Sequence, residues 1–149
     1  MTSTVRRAGL ADEGAAWDVV DEYNRSIGVV VTDDAASFRA YLVGPGALWL
    51  AYDGDVVGCV ALRPLQSAGP HAAEVKRLYV RPTHRGGGVA RALMDALEAD
   101  ARERGFTELY LDTKDDLLEA IRFYERRGYE RVPRYNDNPQ ATIFMRRVL

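Results

Sequence analysis

Residues 74–90 read Glu-Val-Lys-Arg-Leu-Tyr-Val-Arg-Pro-Thr-His-Arg-Gly-Gly-Gly-Val-Ala. The first half is a β-rich run within a strand predicted over Ala73–Val80, and it stops at Arg81-Pro82, where proline removes a ladder donor. The second half is a glycine loop that opens a helix. Val89, Leu93, Leu97 and Ala101 recur at helical spacing, Ala96 widens the stripe, and Glu98 with Arg102 is expected to pair on the wet face before Gly105 ends the helix.

Downstream, Glu108–Asp112 reads as a strand. Leu117, Ala120, Ile121 and Tyr124 line a further helix that stops at Gly128, and Tyr129–Val132 and Thr142–Val148 are strand candidates. Upstream, a short strand at Thr4–Arg7 precedes a helix that Asp12 can cap, with Ala16, Val19, Val20 and Tyr23 on its apolar side. A second helix starts after Thr32 or Asp33 and runs through Phe38, Tyr41 and Leu42 to Gly44-Pro45-Gly46. Leu48–Tyr52 and Val56–Leu62 flank Asp53-Gly54-Asp55 as a β-hairpin, and Gly69-Pro70 separates it from the strand at Ala73. Two helices, an antiparallel run and a βαβα segment predict an α/β (α+β mixed) fold: a central mixed sheet of six or seven strands flanked on both faces by about four helices.

Glycines in succession let the backbone approach a ligand, and the first amides of a helix have no intrahelical acceptor and sit at the positive end of its dipole. Such a terminus suits phosphate. A plain glycine-rich connection is the alternative. Two other phosphate-binding patterns fit poorly: a P-loop needs Lys-Ser/Thr where Val89-Ala90 stands, and the dinucleotide fingerprint wants Gly or Ala where Arg91 stands, with Asp112 only a loose match for its acidic residue.

At 149 residues the chain is expected to form one domain over residues 1–149. Twenty cationic and 22 acidic side chains give a net charge of −2, which supplies no basic field for nucleic acid or an anionic membrane. No leader pattern and no apolar run of spanning length is present, so a cytoplasmic protein is expected. Cys59 has no second cysteine to pair with and falls in an apolar run, which reads as core rather than nucleophile. His84 could touch phosphate, His71 is read as a turn residue, and two histidines so placed predict no metal.

Arg85-x-x-Gly88-x-Ala90 resembles the Gln/Arg-x-x-Gly-x-Gly/Ala signature of the GNAT superfamily of N-acetyltransferases, and Leu78-Tyr79-Val80-Arg81-Pro82 is similar to that family's lead-in. Ala120 to Tyr129, in which Ala-x-x-x-Tyr ends in Gly and an aromatic, resembles a later motif of the same family. The two motifs together cover residues 72–132. The resemblance implies acetyl-CoA as co-substrate and direct transfer to a primary amine of a small molecule or peptide. The backbone from Arg85 through Gly86, Gly87, Gly88 and Val89 to Ala90 would hold the CoA pyrophosphate, and Leu78, Tyr79 and Val80 would pair with the pantetheine arm as an added strand. The Val80 N–H, freed by a bulge, would face the oxyanion. One departure is Leu117, where many relatives carry Asn three residues before the motif's Ala.

An attacking amine must be neutral, and at pH 7 only about one lysine-like amine in a thousand is. Glu74 lies eleven residues before Arg85, the offset at which histone-modifying members of the superfamily place a general base. Its alternative is an ordinary ion pair or a solvated strand start. Tyr124 stands where many relatives place a tyrosine that protonates the departing thiolate; its alternative is a core aromatic. Tyr135-Asn136-Asp137-Asn138-Pro139 either borders the acceptor pocket or is a plain surface turn. A homodimer is compatible with a chain this small, although no residue pattern requires one. The alternative function is a non-catalytic acyl-CoA-binding regulatory module of the same fold.

Overall fold

Gly54, at φ +76°, reverses the chain between two strands that the predicted hairpin placed with small differences at their ends. The computed structural model describes residues 3–28 and 33–149. Among them the order is β1 (Thr4–Arg7), α1 (Glu13–Ser26), α2 (Ala35–Val43), β2 (Ala47–Asp53), β3 (Asp55–Pro64), β4 (Ala72–Val80), α3 (Val89–Glu103), β5 (Glu108–Thr113), α4 (Leu118–Arg126), β6 (Glu130–Arg131) and β7 (Ile143–Val148). The seven strands hydrogen-bond in the order β1-β2-β3-β4-β5-β7-β6. β4 and β5 run parallel, whereas β1/β2, β2/β3, β5/β7 and β6/β7 are antiparallel. The sheet is therefore mixed, with the larger of the two predicted strand counts.

The chain divides into two compact units, Met1–Arg63 with Val75–Asp100, and Pro64–Glu74 with Ala101–Leu149. In the first unit, strand alternation sends side chains to two faces. Leu48, Leu50, Cys59 and Ala61 join Val19, Val20, Phe38, Tyr41 and Leu42 in one core under α1 and α2. Gly58 points the other way, where an added Cβ would lie 3.3 Å from both Val89 and Leu93 of α3. Helices thus cover both faces. Full burial of each large aliphatic side chain stabilises the fold by about 1.5–3 kcal/mol, and Leu48, Leu50, Leu62, Leu93 and Leu97 have no exposed surface at all.

The caps differ in part from expectation. α2 begins after Asp33, with Asp34 as its cap accepting from Ser37 N at 2.8 Å; the alternative start after Thr32 rests on a residue outside the described ones. Asp12 precedes α1 without capping it, because its carboxylate is held by the Gly9 amide at 2.9 Å and by Arg6 at 2.7 Å. Glu98 is buried and not on a wet face: α3 exceeds a one-stripe helix, with Met94 and Glu98 inside next to Leu93 and Leu97.

In the second unit, β5 pairs with Ala72–Glu74 at the start of β4, and with β7 from Glu108↔Val148 to Thr113↔Ile143. Leu109, Leu111, Phe144 and Met145 are buried, as are Ile121 and Tyr124 from α4. Leu117, read as part of the helix face, ends up just before α4 and 37% exposed.

Candidate active site

The glycine loop belongs to the first unit. Pro82–His84 form a single 3-10 turn, after which Gly86 (φ +80°) and Gly88 (φ +86°) take left-handed conformations that L side chains rarely adopt. The Gly88 carbonyl accepts from Ala92 N at 3.0 Å, so α3 begins directly behind the loop. Among the described residues the amides of Gly86, Gly87 and Gly88 donate to no protein group, and the first α3 amides lack intrahelical acceptors. Arg85 is the exception to the predicted cradle, since its amide is turned to the Pro82 carbonyl at 3.5 Å. Its side chain folds back instead: Nε donates to the Val80 carbonyl at 3.0 Å, and the guanidinium lies 5.8 Å from the Tyr79 ring centroid. The backbone amides and the exposed guanidinium of Arg85 form a donor set that fits a pyrophosphate.

The side chains named with that loop have structural partners. Val89 packs in the core, leaving its backbone for the loop. Tyr79 is buried, with its hydroxyl donating to Glu22 at 2.6 Å; burial first, and then the Glu22 bond, push the phenol up to about 12. Arg81 is fixed by the Val56 carbonyl at 2.6 Å and by Glu22 at 3.3 Å. His84 is bonded on both ring nitrogens, to Thr83 at 2.8 Å and to Asp53 at 3.0 Å, which removes it as a phosphate contact. Leu78 and Val80 are half-buried, so what this segment presents is its backbone.

Within β4 the backbone departs from regular strand geometry at one residue. Arg77 has φ +60°, the one non-glycine positive φ among the described residues. It is held by Cys59 Sγ, which donates to the Arg77 carbonyl at 3.2 Å, and by Asp33, 2.8 Å from its guanidinium. Burial pushes the Cys59 thiol up to about 12, so this cysteine is a core donor and no nucleophile at neutral pH.

Glu74 lies in the second unit and has no exposed surface. Its Oε2 accepts from the Tyr135 hydroxyl at 2.7 Å and from Asn136 Nδ2 at 3.2 Å. Asn136 Nδ2 also donates to Asp112 at 2.6 Å, and Asn138 donates to the same Asp112 oxygen at 3.3 Å. Arg134 shapes this loop by donating to the carbonyls of Asn136, Asn138 and Ala141, while Tyr135 sits edge-on to Tyr110 and Phe144. Tyr124 is 8% exposed on α4, with ring centroids of Phe123 and Tyr129 at 5.6 and 5.8 Å. Of the alternatives left open for Glu74, the solvated strand start is overturned, because its carboxyl group is buried within a hydrogen-bonded network.

A sequence model of the Acetyltransferase (GNAT) family matches residues 16–129. The chain belongs to the GNAT acetyltransferase family. It is an N-acetyltransferase, similar over 137 residues at 35% identity to an uncharacterised N-acetyltransferase of Schizosaccharomyces pombe, covering 86% of this chain and 83% of that one. The fold of this acetyltransferase matches a GNAT-family acetyltransferase of Staphylococcus aureus MU50 with a TM-score of 0.84 at 18% identity over 99% of each chain. It also matches the PaiA N-acetyltransferase of Thermoplasma acidophilum, solved with coenzyme A, with a TM-score of 0.73 at 14% identity over the full length of both.

The sequence of the acetyltransferase marks Asn138 only as one of the Tyr135–Pro139 run and does not mark Asp112 as a site residue. The polar run Tyr135–Pro139 was the available signal, but nothing local says that an asparagine 62 positions away will reach Glu74.

Proposed function

We propose that residues 1–149 work as one N-acetyltransferase domain that moves an acetyl group from acetyl-CoA directly to a primary amine of a small molecule or peptide. The observation that carries this reading is the row of amides at Gly86–Gly88, which donate to no described residue, in front of α3. Acetyl-CoA supplies the thioester carbonyl. In this reading the Gly86–Ala90 backbone and the Arg85 guanidinium hold its pyrophosphate, and the Leu78–Val80 backbone pairs with its pantetheine arm. The family match supports it further, because residues 16–129 span both compact units.

The amine gives up a proton, its nitrogen bonds to the acetyl carbon, and the carbon–sulfur bond breaks. Glu74 is the base. Since Glu74 has no exposed surface and Tyr135 is half-buried with its hydroxyl on Oε2, the proton passes by way of Tyr135. Tyr124 protonates the leaving thiolate; its phenol, with an ordinary pKa of about 10, needs positioning to donate to a thiol of about 8.5. The single cysteine, reduced and buried, suits a cytoplasmic setting.

The complete burial of Glu74 also favours a second reading, an acyl-CoA-binding regulatory module without turnover. Tyr124→Phe separates them. For the enzyme, kcat falls about 100-fold while acetyl-CoA affinity measured by calorimetry is kept; equal turnover in the variant removes the role given to Tyr124.

A further inference from the structure

Asn24, on α1, is 3% exposed, and its Oδ1 accepts no hydrogen bond from any described residue. A buried acceptor left unpaired destabilises a fold, so its retention asks for a partner. Asn24 borders a cavity of about 10 Å³ lined, among the described residues, by Trp17, Val20, Asp21, Asn24, Asp33 and Phe38. That is room for one water-sized group.

The chemistry of the lining selects what that group is. Asp21 commits Oδ2 to Arg25, and Asp33 commits Oδ2 to Arg77 at 2.8 Å; neither Oδ1 is bonded to a described residue. With Asn24 Oδ1, these three lining residues thus each carry an oxygen that accepts from no described residue, and that of Asn24 is buried. Water carries two donors, whereas a primary ammonium carries three, one for each of these residues, together with a positive charge that suits the two carboxylates. Trp17 and Phe38, edge to face at 5.0 Å, add aromatic walls that favour a cation. The same two rings line an open groove of about 370 Å³ with Glu13, Asp18 and Arg39, and Trp17 is 40% exposed. The shared walls make this groove the route by which an alkyl chain attached to the buried head would leave.

We propose that the cavity between α1 and Asp33 binds a primary alkylammonium head, with Asn24 Oδ1 as its buried acceptor. The head can come from a second amine on the acceptor itself or from a separate cationic ligand.

The test uses the full chain without acyl-CoA and 1,5-diaminopentane as probe, with 1-pentanol as the neutral control. The diamine is expected to raise the melting temperature of the wild type in a saturable way, and pentanol is not. In Asn24→Leu the diamine's apparent Kd should weaken at least tenfold, while the unliganded variant melts no lower than wild type because the unpaired oxygen is gone. If the leucine variant fails to fold, Asn24→Ala reads the same loss. Equal diamine shifts in wild type and variant, or no shift in wild type, overturn the site. Mass spectrometry after adding acetyl-CoA then assigns the source: acetylated diamine marks the acceptor's own second amine, and a shift without product marks a separate ligand. Because the binding arm needs no turnover, its failure is distinct from failure of the acetyl-transfer reading.

Discussion

Glu74 and Tyr135, 2.7 Å apart with the carboxyl group fully buried, are the pair to which the proposed proton transfer is assigned. Tyr135→Phe keeps the ring between Tyr110 and Phe144 and removes only the hydroxyl, so it should lower kcat about 100-fold with little change in stability. Glu74→Gln should lower kcat by a similar factor, and the double variant should be no worse than the poorer single one if the two act in series. Additive losses would break the relay. Tyr79 gives a pH signature of a different kind. Its hydroxyl is raised to about 12 chiefly by burial and then by the bond to Glu22, so the folded state holds this proton more tightly than the unfolded chain does. The stability it contributes is present in full below about pH 10 and is lost as pH rises through about 12. Denaturation followed from pH 9 to 12 should therefore show a shallower decline in Tyr79→Phe than in wild type, and parallel curves would deny Tyr79 this role. At this scale the sequence was informative about residue type and poor about contacts. The Arg85–Ala90 signature is local in the chain and could be read, whereas the Glu74–Tyr135–Asn136–Asp112 network joins three separate segments and leaves no local pattern.

Two glycines show how an element's geometry governs β4 and the glycine loop, to which acetyl-CoA binding is assigned in the proposed function. A Cβ on Gly58 of β3 would lie 2.7 Å from the Tyr79 carbonyl, a backbone atom that can move only if β4 moves. Gly58→Ala should cost about 1–3 kcal/mol and weaken acetyl-CoA binding together with stability. Gly88→Ala meets no atom within 4 Å, and its cost is the φ of +86° alone. That strain is worth about 1–2 kcal/mol, or roughly 2–8 °C of melting temperature for a chain of this size, and the reoriented amides should weaken acetyl-CoA at least tenfold. Calorimetric titration and thermal denaturation check both; wild-type affinity in Gly88→Ala would remove the loop from the binding account. Elements were legible where periodicity was strong, as in α3, whose predicted stripe Val89, Leu93, Leu97 and Ala101 is buried throughout. They were less legible where burial overrode polarity. Glu98 has a charged side chain and helical spacing from Arg102, yet α3 is embedded deeply enough to take it inside. Asp12 has the chemistry of a helix cap, but Arg6 and the Gly9 amide compete for its oxygens.

At the scale of the molecule, the mixed character of the sheet followed from the chain: a hairpin, a strand entering a glycine loop, and a βα return predict a mixed sheet, and seven strands with β4 and β5 parallel form it. What the order of elements does not encode is the acceptor, because loops such as 134–141 are shaped by side-chain bonds from Arg134 and not by a motif. The central claim is that this GNAT-family chain transfers acetyl groups to a primary amine and does more than bind the thioester. Its most direct test is continuous measurement of free CoA thiol as the protein meets acetyl-CoA and a panel of amino acids, polyamines, aminoglycosides and N-terminal peptides. The account predicts amine-dependent thiol release with at least one class, matched mole for mole by N-acetylated product and reduced about 100-fold in Tyr135→Phe. Acetyl-CoA binding with no release above background for any amine would contradict it and leave the regulatory module standing.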